Sequence, residues 1–375
     1  MTIQLAKPFV CQQAKDNVMR VLESGWLGMG PEVEEFEKEF AAYIGCKHAI
    51  AMNSGTEALR IALHVNRPYT RSIVLTTPNT FVATNHVILQ EGLIPYFIDI
   101  DPNTGSMDLN LLEAHLSRHE GDVAAVMFVH YGGAPLYMDR LRSLIKRYGV
   151  YLIEDAAHCA GASYNGEKVG KDSVMACFSF HAVKPLATGD GGMIVTSDAL
   201  LANKARKLRW FGIDKSTAER SKAGYSWEYN VEMIGFKSHM NDITATIGRG
   251  QLTKLDEQIA KREHIYQLYK KNLKGSSIEL LTQEPATKSS HYLMVVRLPD
   301  AIHKRAAMAR LEKEDIQYGY HYKANYEYRP YARYKGRQEY PGMEEFQRTA
   351  LSLPMHIFLR DCDVDQICNV IKGAL

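Results

Sequence analysis

The sequence predicts an α/β protein with a large domain built on a mostly parallel central sheet and a smaller C-terminal α/β domain. Three observations carry this. Between residues 48 and 155 short apolar runs alternate with helical patterns, the signature of strand–helix units around a parallel sheet. Polar or catalytic-type residues follow directly on several of those runs, where such sheets place their ligands. Near residue 251 the texture changes to a long amphipathic helical pattern, which opens a second unit. The expected division is 1–250 and 251–375.

The elements follow in order. "VMRVLESGWLG" reads as a helix stopped by Gly25, and "PEVEEFEKEFAAYIG" as a helix from Pro31 to a stop at Gly45. "HAIAMNSGTEALRIALHVN" switches period: an apolar strand, a small-residue turn, then a helix with Leu59, Ala62 and Leu63 on one face. "SIVLTTPNT", "IPYFIDID", "VAAVMFVHYGG" and "VYLIEDAAH" are further strands, and "MDRLRSLIKRYG" is a helix between the last two. "ACFSFHAVKPLATGDGGMIVTSD" contains two apolar runs around a glycine-rich turn that carries Lys184. "QLTKLDEQIAKREHIYQLYKKNL" reads as one long helix with Leu252, Leu255, Ile259, Tyr266 and Tyr269 along a stripe. "HYLMVVRL", "AAMARLEKEDI" and "VDQICNVIKGAL" give a strand and two helices.

Composition narrows the function classes. A chain of 375 residues with a formal net charge of +2 has room for a large core, and no electrostatic case for nucleic acid or an anionic membrane. The basic run "KANYEYRPYARYKGR" reads as a solvated, aromatic-rich loop. No apolar stretch approaches the ~20 residues that span a bilayer. "MTIQLAKPFVCQQAKDN" has no signal-peptide core, so a cytoplasmic protein is expected. The six cysteines form no CxxC and no cluster with histidine; free thiols and no metal site are expected.

Three segments can carry chemistry. "NSGTEAL" puts backbone N–H groups, a hydroxyl and the positive end of a helix at one turn, which suits a phosphate as well as a plain helix cap. It is not a GxxxxGK[ST] nucleotide loop. Asp155 ends an apolar strand, so its carboxylate needs a cation or strong donors, and His158 lies one turn on. Lys184 follows at another turn, with Ser179 and His181 before it. A lysine is costly to bury unless it is paired or does chemistry. A phosphate cup, a buried carboxylate and a lone lysine together match the protein's part of a pyridoxal 5′-phosphate site, with Phe81 as the candidate ring over the pyridine.

Read with these segments in hand, the chain resembles the DegT-type (DegT/DnrJ/StrS) sugar aminotransferases, a branch of the fold-type I pyridoxal phosphate enzymes. The resemblance runs almost end to end, through "GWLGMGPEVEEFEKEFAAYIGCKHAIAMNSGTEALRIAL", "YLIEDAAHCAGASYNGEKVG", "FSFHAVKPLATGDGGMIVT", "GFKSHMNDITATIGRGQLTKL" and "LSLPMHIFL". It implies that Lys184 forms the Schiff base and that Asp155 pairs with the pyridinium nitrogen. It makes Gly55, Thr56 and Ser179 phosphate ligands and Phe81 the stacking ring. His158, where the family often has Gln, packs by the ring. Asn241 reaches the phosphate of the neighbouring subunit, so a homodimer with shared active sites is implied. His181, His321 and Tyr322 are the candidate substrate contacts.

The implied reaction is transfer of an amino group from glutamate, leaving 2-oxoglutarate, to a nucleotide-linked keto sugar of the 4-keto-6-deoxy kind. The alternatives are amination at C3, an inosose acceptor, or a cofactor-binding regulator. The retained Lys184 argues for amino transfer, since a dehydratase branch replaces it by histidine. Two departures bear on substrate. The family's HYxPxH reads "HYKANY" at residues 321–326, and Asp190 stands where many members have Glu.

Overall fold

The structure, a computed structural model, describes residues 2–66, 70–119, 121–214, 229–336 and 338–375. Two helices precede the first strand: α1 (Gln12–Ser24), closed by Gly25 in a left-handed conformation, and α2 (Pro31–Ile44), closed in the same way by Gly45. The strand–helix alternation then runs β1 (His48–Met52), α3 (Gly55–Asn66), β2 (Ile73–Thr76), α4 (Val82–Gln90), β3 (Ile94–Phe97), α5 (Leu109–Arg118), β4 (Val123–Val129), α6 (Met138–Tyr148) and β5 (Tyr151–Asp155). A small hairpin of β6 (Ser163–Tyr164) and β7 (Glu167–Lys168) leads to β8 (Met175–Ser179), β9 (Gly192–Thr196) and α7 (Ala199–Leu208).

Seven strands form one sheet in the order β1-β9-β8-β5-β4-β2-β3. β9 runs antiparallel to both of its neighbours, while β8, β5, β4, β2 and β3 are mutually parallel. The inner strand β4, VAAVMFV, is buried at every position, as a strand covered on both faces must be. One face packs the aromatic cluster of Phe36, Phe40, Phe178 and Phe180 beneath α2, and the other packs Leu59, Ala62 and Leu63 of α3.

The long helix expected from residue 251 is two helices. α8 (Asp242–Leu252) stops, Thr253 and Lys254 turn, and α9 (Leu255–Leu273) starts anew. Leu252 therefore belongs to α8 and packs on the core beneath α2, while Ile265, Tyr269 and Leu273 of α9 join a C-terminal core. Leu255 and Ile259 at the start of α9 still pack on the core beneath α2, so α9 passes from one core to the other along its length. The C-terminal sheet is β10 (Glu279–Leu280), β12 (Met294–Arg297) and β13 (Ala350–Leu353), all antiparallel, with β11 (Thr287–Lys288) pairing back to β6. One core on this sheet is built by α9, α10 (Ala301–Lys313) and α12 (Asp361–Lys372), while Met343 and Phe346 of α11 (Pro341–Thr349) pack with Val295 and Ala350 in another.

The basic run at 323–336 differs from expectation. Its charged residues face solvent, but Tyr326 and Tyr331 are buried with Tyr340 in a core of their own. Tyrosine supplies a large apolar body, so it packs inward where the lysines and arginines cannot. Arg337, the end of that run, lies outside the described residues. Of the cysteines, Cys11, Cys159, Cys177 and Cys368 are buried, and all six are unpaired. Among the described residues no helix is long and apolar enough to cross a membrane, and no group of His, Cys, Asp or Glu is arranged to hold a metal ion.

Candidate active site

The ends of β1, β5 and β8 meet at one cavity of about 320 Å³. From β1 the chain turns through Ser54 into α3, so the first N–H groups of that helix, at Gly55 and Thr56, open on the cavity. Ser54 Oγ also accepts from Glu57 N at 3.2 Å, so the turn serves as a helix cap as well. Ser179, the last residue of β8, completes this corner. The corner is tight: a Cβ on Gly55 would stand 2.7 Å from Ser179 Cβ. Glycine lets the helix start approach the strand end.

Asp155 ends β5 on the cavity side and is almost wholly buried. Burial raises its pKa, against which the Thr84 hydroxyl, the Ala157 N–H and the charge of Lys184 all act. Thr84 Oγ1 donates to Asp155 Oδ2 at 2.7 Å and Ala157 N to Oδ1 at 3.1 Å; Thr80 and Thr84 share a further hydroxyl bond of 2.8 Å. Its neighbour Glu154 points to the opposite face, as strand alternation requires. There it is bonded by His130 Nε2 at 2.8 Å and Ser173 Oγ at 2.6 Å, which outweigh burial and hold its pKa low.

Lys184 enters from the turn after β8, where its N–H bonds the His181 carbonyl at 2.8 Å. Burial pulls its amine from 10.5 down to about 8, and the Asp155 charge limits the drop. Beside it stands a row of rings. Tyr292 lies with its ring centre 4.3 Å from Lys184 Nζ and also 4.3 Å from the His158 ring centre. Tyr322 runs nearly parallel to His158, with its hydroxyl 3.2 Å from His158 Nε2. His158 is driven well below its ordinary pKa, by burial first and then by the Lys184 charge, and its buried Nδ1 has no hydrogen-bond partner among the described residues. It is a neutral ring. His321 is likewise lowered, to about 4, by burial and by Lys184.

Phe81, just before α4, lines the cavity and is 59% exposed, with its ring 6.2 Å from Tyr322. His181 and Asp190 line the same mouth. The far wall is carried by His321 and Tyr322, and three asparagines hold it in place. Asn79 accepts from Tyr322 N at 3.0 Å, Asn325 donates to the Thr80 carbonyl at 2.8 Å, and Asn85 donates to Asn325 at 2.8 Å. All three asparagines are fully buried.

The cavity thus gathers Gly55, Thr56, Phe81, Asp155, His158, Ser179, His181, Lys184, His321 and Tyr322, the residues singled out from sequence, with one exception. Asn241 does not line the cavity of its own chain; it caps α8, its side-chain oxygen accepting from Thr244 N at 2.8 Å. The "HYKANY" departures also fall outside the cavity. Ala324 is buried, and Tyr326 stacks on Tyr340 at 4.5 Å between ring centres. Thr84 and Tyr292 are among the cavity residues not singled out from sequence. Thr84 could have been found one helical turn after Thr80 in "NTFVATN", whereas Tyr292 reads only as the edge of a strand.

The family model described as the "DegT/DnrJ/EryC1/StrS aminotransferase family" matches residues 10–372. The chain is 35% identical over 378 residues to the "Spore coat polysaccharide biosynthesis protein SpsC" of Bacillus subtilis, covering 98% of this chain and 96% of that one. It is 34% identical to the "UDP-4-amino-4,6-dideoxy-N-acetyl-beta-L-altrosamine transaminase" of Campylobacter jejuni, covering 91% of this chain and 89% of the relative. A solved structure of the sugar aminotransferase Spr1654 from Streptococcus pneumoniae, in its PMP form, superposes with a TM-score of 0.91 at 26% identity, covering 99% of this chain and 98% of that one.

Proposed function

The chain belongs to the DegT/DnrJ/EryC1/StrS aminotransferase family, and from that premise we propose that it uses pyridoxal 5′-phosphate to move an amino group from glutamate to C4 of a nucleotide-linked 4-keto-6-deoxy sugar. The observation that carries the reading is the convergence of Lys184, Asp155 and the Ser54–Thr56 helix start on one cavity. The names of the Campylobacter relative and of the Streptococcus structure support a nucleotide sugar and this cofactor.

The residues fit such a group. The N–H groups of Gly55 and Thr56, with Ser179, form a corner suited to a phosphate, and Gly55 lacks the Cβ that would close it. Asp155 would face the ring nitrogen, with Phe81 and the neutral His158 offering flat surfaces to the ring. Lys184 would hold the cofactor covalently through Nζ. When bound, the cofactor supplies an electron sink that makes the amino-bearing carbon acidic.

The remaining work falls to this chain's own groups. Thr84 and the Ala157 N–H favour the charged form of Asp155 and oppose the effect of burial. Lys184 Nζ, drawn toward its neutral form by burial, accepts the proton from the donor's carbon and returns one to the acceptor's carbon. His181, His321 and Tyr322 face the acceptor, and the apolar walls keep water from the reacting centre. Asn241 would serve the neighbouring subunit's phosphate in a homodimer.

The test is glutamate-dependent amination of a panel of UDP-, dTDP- and GDP-linked 4-keto-6-deoxy sugars, with 3-keto sugars and inosose alongside, read by mass spectrometry and NMR of the product. Amination at C4 of one nucleotide sugar is expected. Amination of inosose alone, or of no acceptor by protein that holds cofactor, overturns the reading.

A further inference from the structure

We infer that Tyr292 is a further residue of the amino-transfer machinery: its ring face is the seat of the Lys184 ammonium whenever that amine is not covalently engaged. This rests on the reading of Lys184 as the amine that holds the cofactor.

Lys184 Nζ lies 4.3 Å from the centre of the Tyr292 ring, inside the distance at which the negative face of an aromatic ring attracts a cation. Among the described residues no carboxylate reaches ion-pairing distance of Nζ; Asp155 acts on it only through space. The ring is thus a close neighbour that favours the charged amine. The phenol is not the operative part. Burial pushes Tyr292 up to about 12, so it stays protonated, and the nearby charge of Arg262 falls on the phenol rather than on Lys184.

The segment that delivers Tyr292 is fastened more firmly than a strand edge requires. Ser290 N bonds the Gly133 carbonyl at 3.0 Å, Ser289 Oγ bonds the same carbonyl at 3.1 Å, and Ser290 Oγ reaches the His158 carbonyl. His291 takes a left-handed backbone, with φ 49°, and pairs with Glu263. Gly133 is required by this approach: a Cβ there would stand 2.0 Å from Ser290 Oγ. These bonds fix the ring beside His158, where it meets Lys184.

The function follows from the two states of the amine. Each half-reaction frees Lys184 and then needs it as a base within reach of the reacting carbon. A salt bridge to Asp155 would hold the ammonium too firmly and would neutralise the carboxylate. A ring face holds the charged form weakly and the neutral form hardly at all, so loss of the proton releases the amine to act.

The test uses the holoenzyme converted by glutamate to the amine form of its cofactor, in which Lys184 is free. Competitive acetylation with acetic anhydride across a pH series, read by peptide mass spectrometry, gives the pKa of Lys184 Nζ. Tyr292→Phe should overlay the wild type. Mono-, di- and trifluorophenylalanine placed at 292 keep the shape and drain the ring face; they should lower the pKa stepwise, by up to about one unit in total. The ascending limb of the pH–rate profile should move with it. Tyr292→Leu should fall at least as far as the trifluoro variant. A flat fluorine series, on a lysine that becomes labelled only after glutamate treatment, overturns the role of the ring alone. Equal labelling of Lys184 before and after glutamate overturns the reading of Lys184, and this inference with it.

Discussion

Replacing Thr84 by valine removes one hydroxyl and leaves the shape of the side chain almost unchanged. That hydroxyl donates to Asp155 Oδ2 at 2.7 Å, with Thr84 1% and Asp155 5% exposed, so water cannot take its place. A hydrogen bond to a charged acceptor in such a setting is worth about 1.5–3 kcal/mol. Its loss should raise the Asp155 pKa, already lifted by burial, still further. The sign of the stability change follows. A carboxyl whose folded pKa is raised stabilises the fold fully when both states are protonated, and that stability is lost as pH rises through the folded value. The deficit of Thr84→Val should therefore be small near pH 4 and reach about 2 kcal/mol at pH 8. Urea unfolding at the two pH values measures it, and Thr84→Ser, which keeps the hydroxyl, is the control. Equal deficits at both pH values would show that the hydroxyl does not serve the charged carboxylate, and the reasoning would be wrong.

Lys184→Met should abolish amino transfer and, with cofactor removed from both proteins, should be the more stable chain. The drop from 10.5 to about 8 corresponds to about 3 kcal/mol, present below pH 8 and closing between pH 8 and 10.5, as calorimetry across that range can check. Gly133→Ala meets Ser290 Oγ and a φ of 94° at once, so it should lower the unfolding free energy by about 2–4 kcal/mol and loosen Tyr292, read by urea melts and by tyrosine environment in near-ultraviolet circular dichroism. Mixing subunits that carry Asn241→Ala with subunits that carry Lys184→Ala should restore part of the activity if sites are shared; no recovery in a mixed dimer would make each subunit self-contained.

The parts of the site that were legible in the sequence obey one local rule. Asp155 and Ser179 each follow an apolar run, Gly55 and Thr56 follow the turn after another, and Lys184 sits in the turn beyond Ser179. Strand ends are visible in hydrophobic pattern, and the sheet brings them together. Tyr292 was not legible because its position depends on four bonds to Gly133, His158 and Glu263, all remote in sequence. The break at Thr253 and Lys254 was hidden for a related reason. Neither residue is a helix breaker, and the apolar stripe continues across it, with Leu252 on one side and Leu255 and Ile259 on the other packed on the same core. The tyrosines between 323 and 340 misled in the opposite sense, since the lysines and arginines around them suggested solvent.

The asparagine fastening has a consequence for how the enzyme is made. One wall of the cavity, His321 and Tyr322, is held by Asn325 against the segment 78–85, which runs into α4, and these residues are synthesised long after Lys184 and Asp155 have left the ribosome. A growing chain that ends between residues 185 and 324 has Lys184, Asp155 and the corner of Gly55 and Ser179 but no closed chamber around them. Cofactor capture is then a late event in biogenesis, and a chain truncated at that point should be a poor trap for the cofactor even where its central sheet has formed.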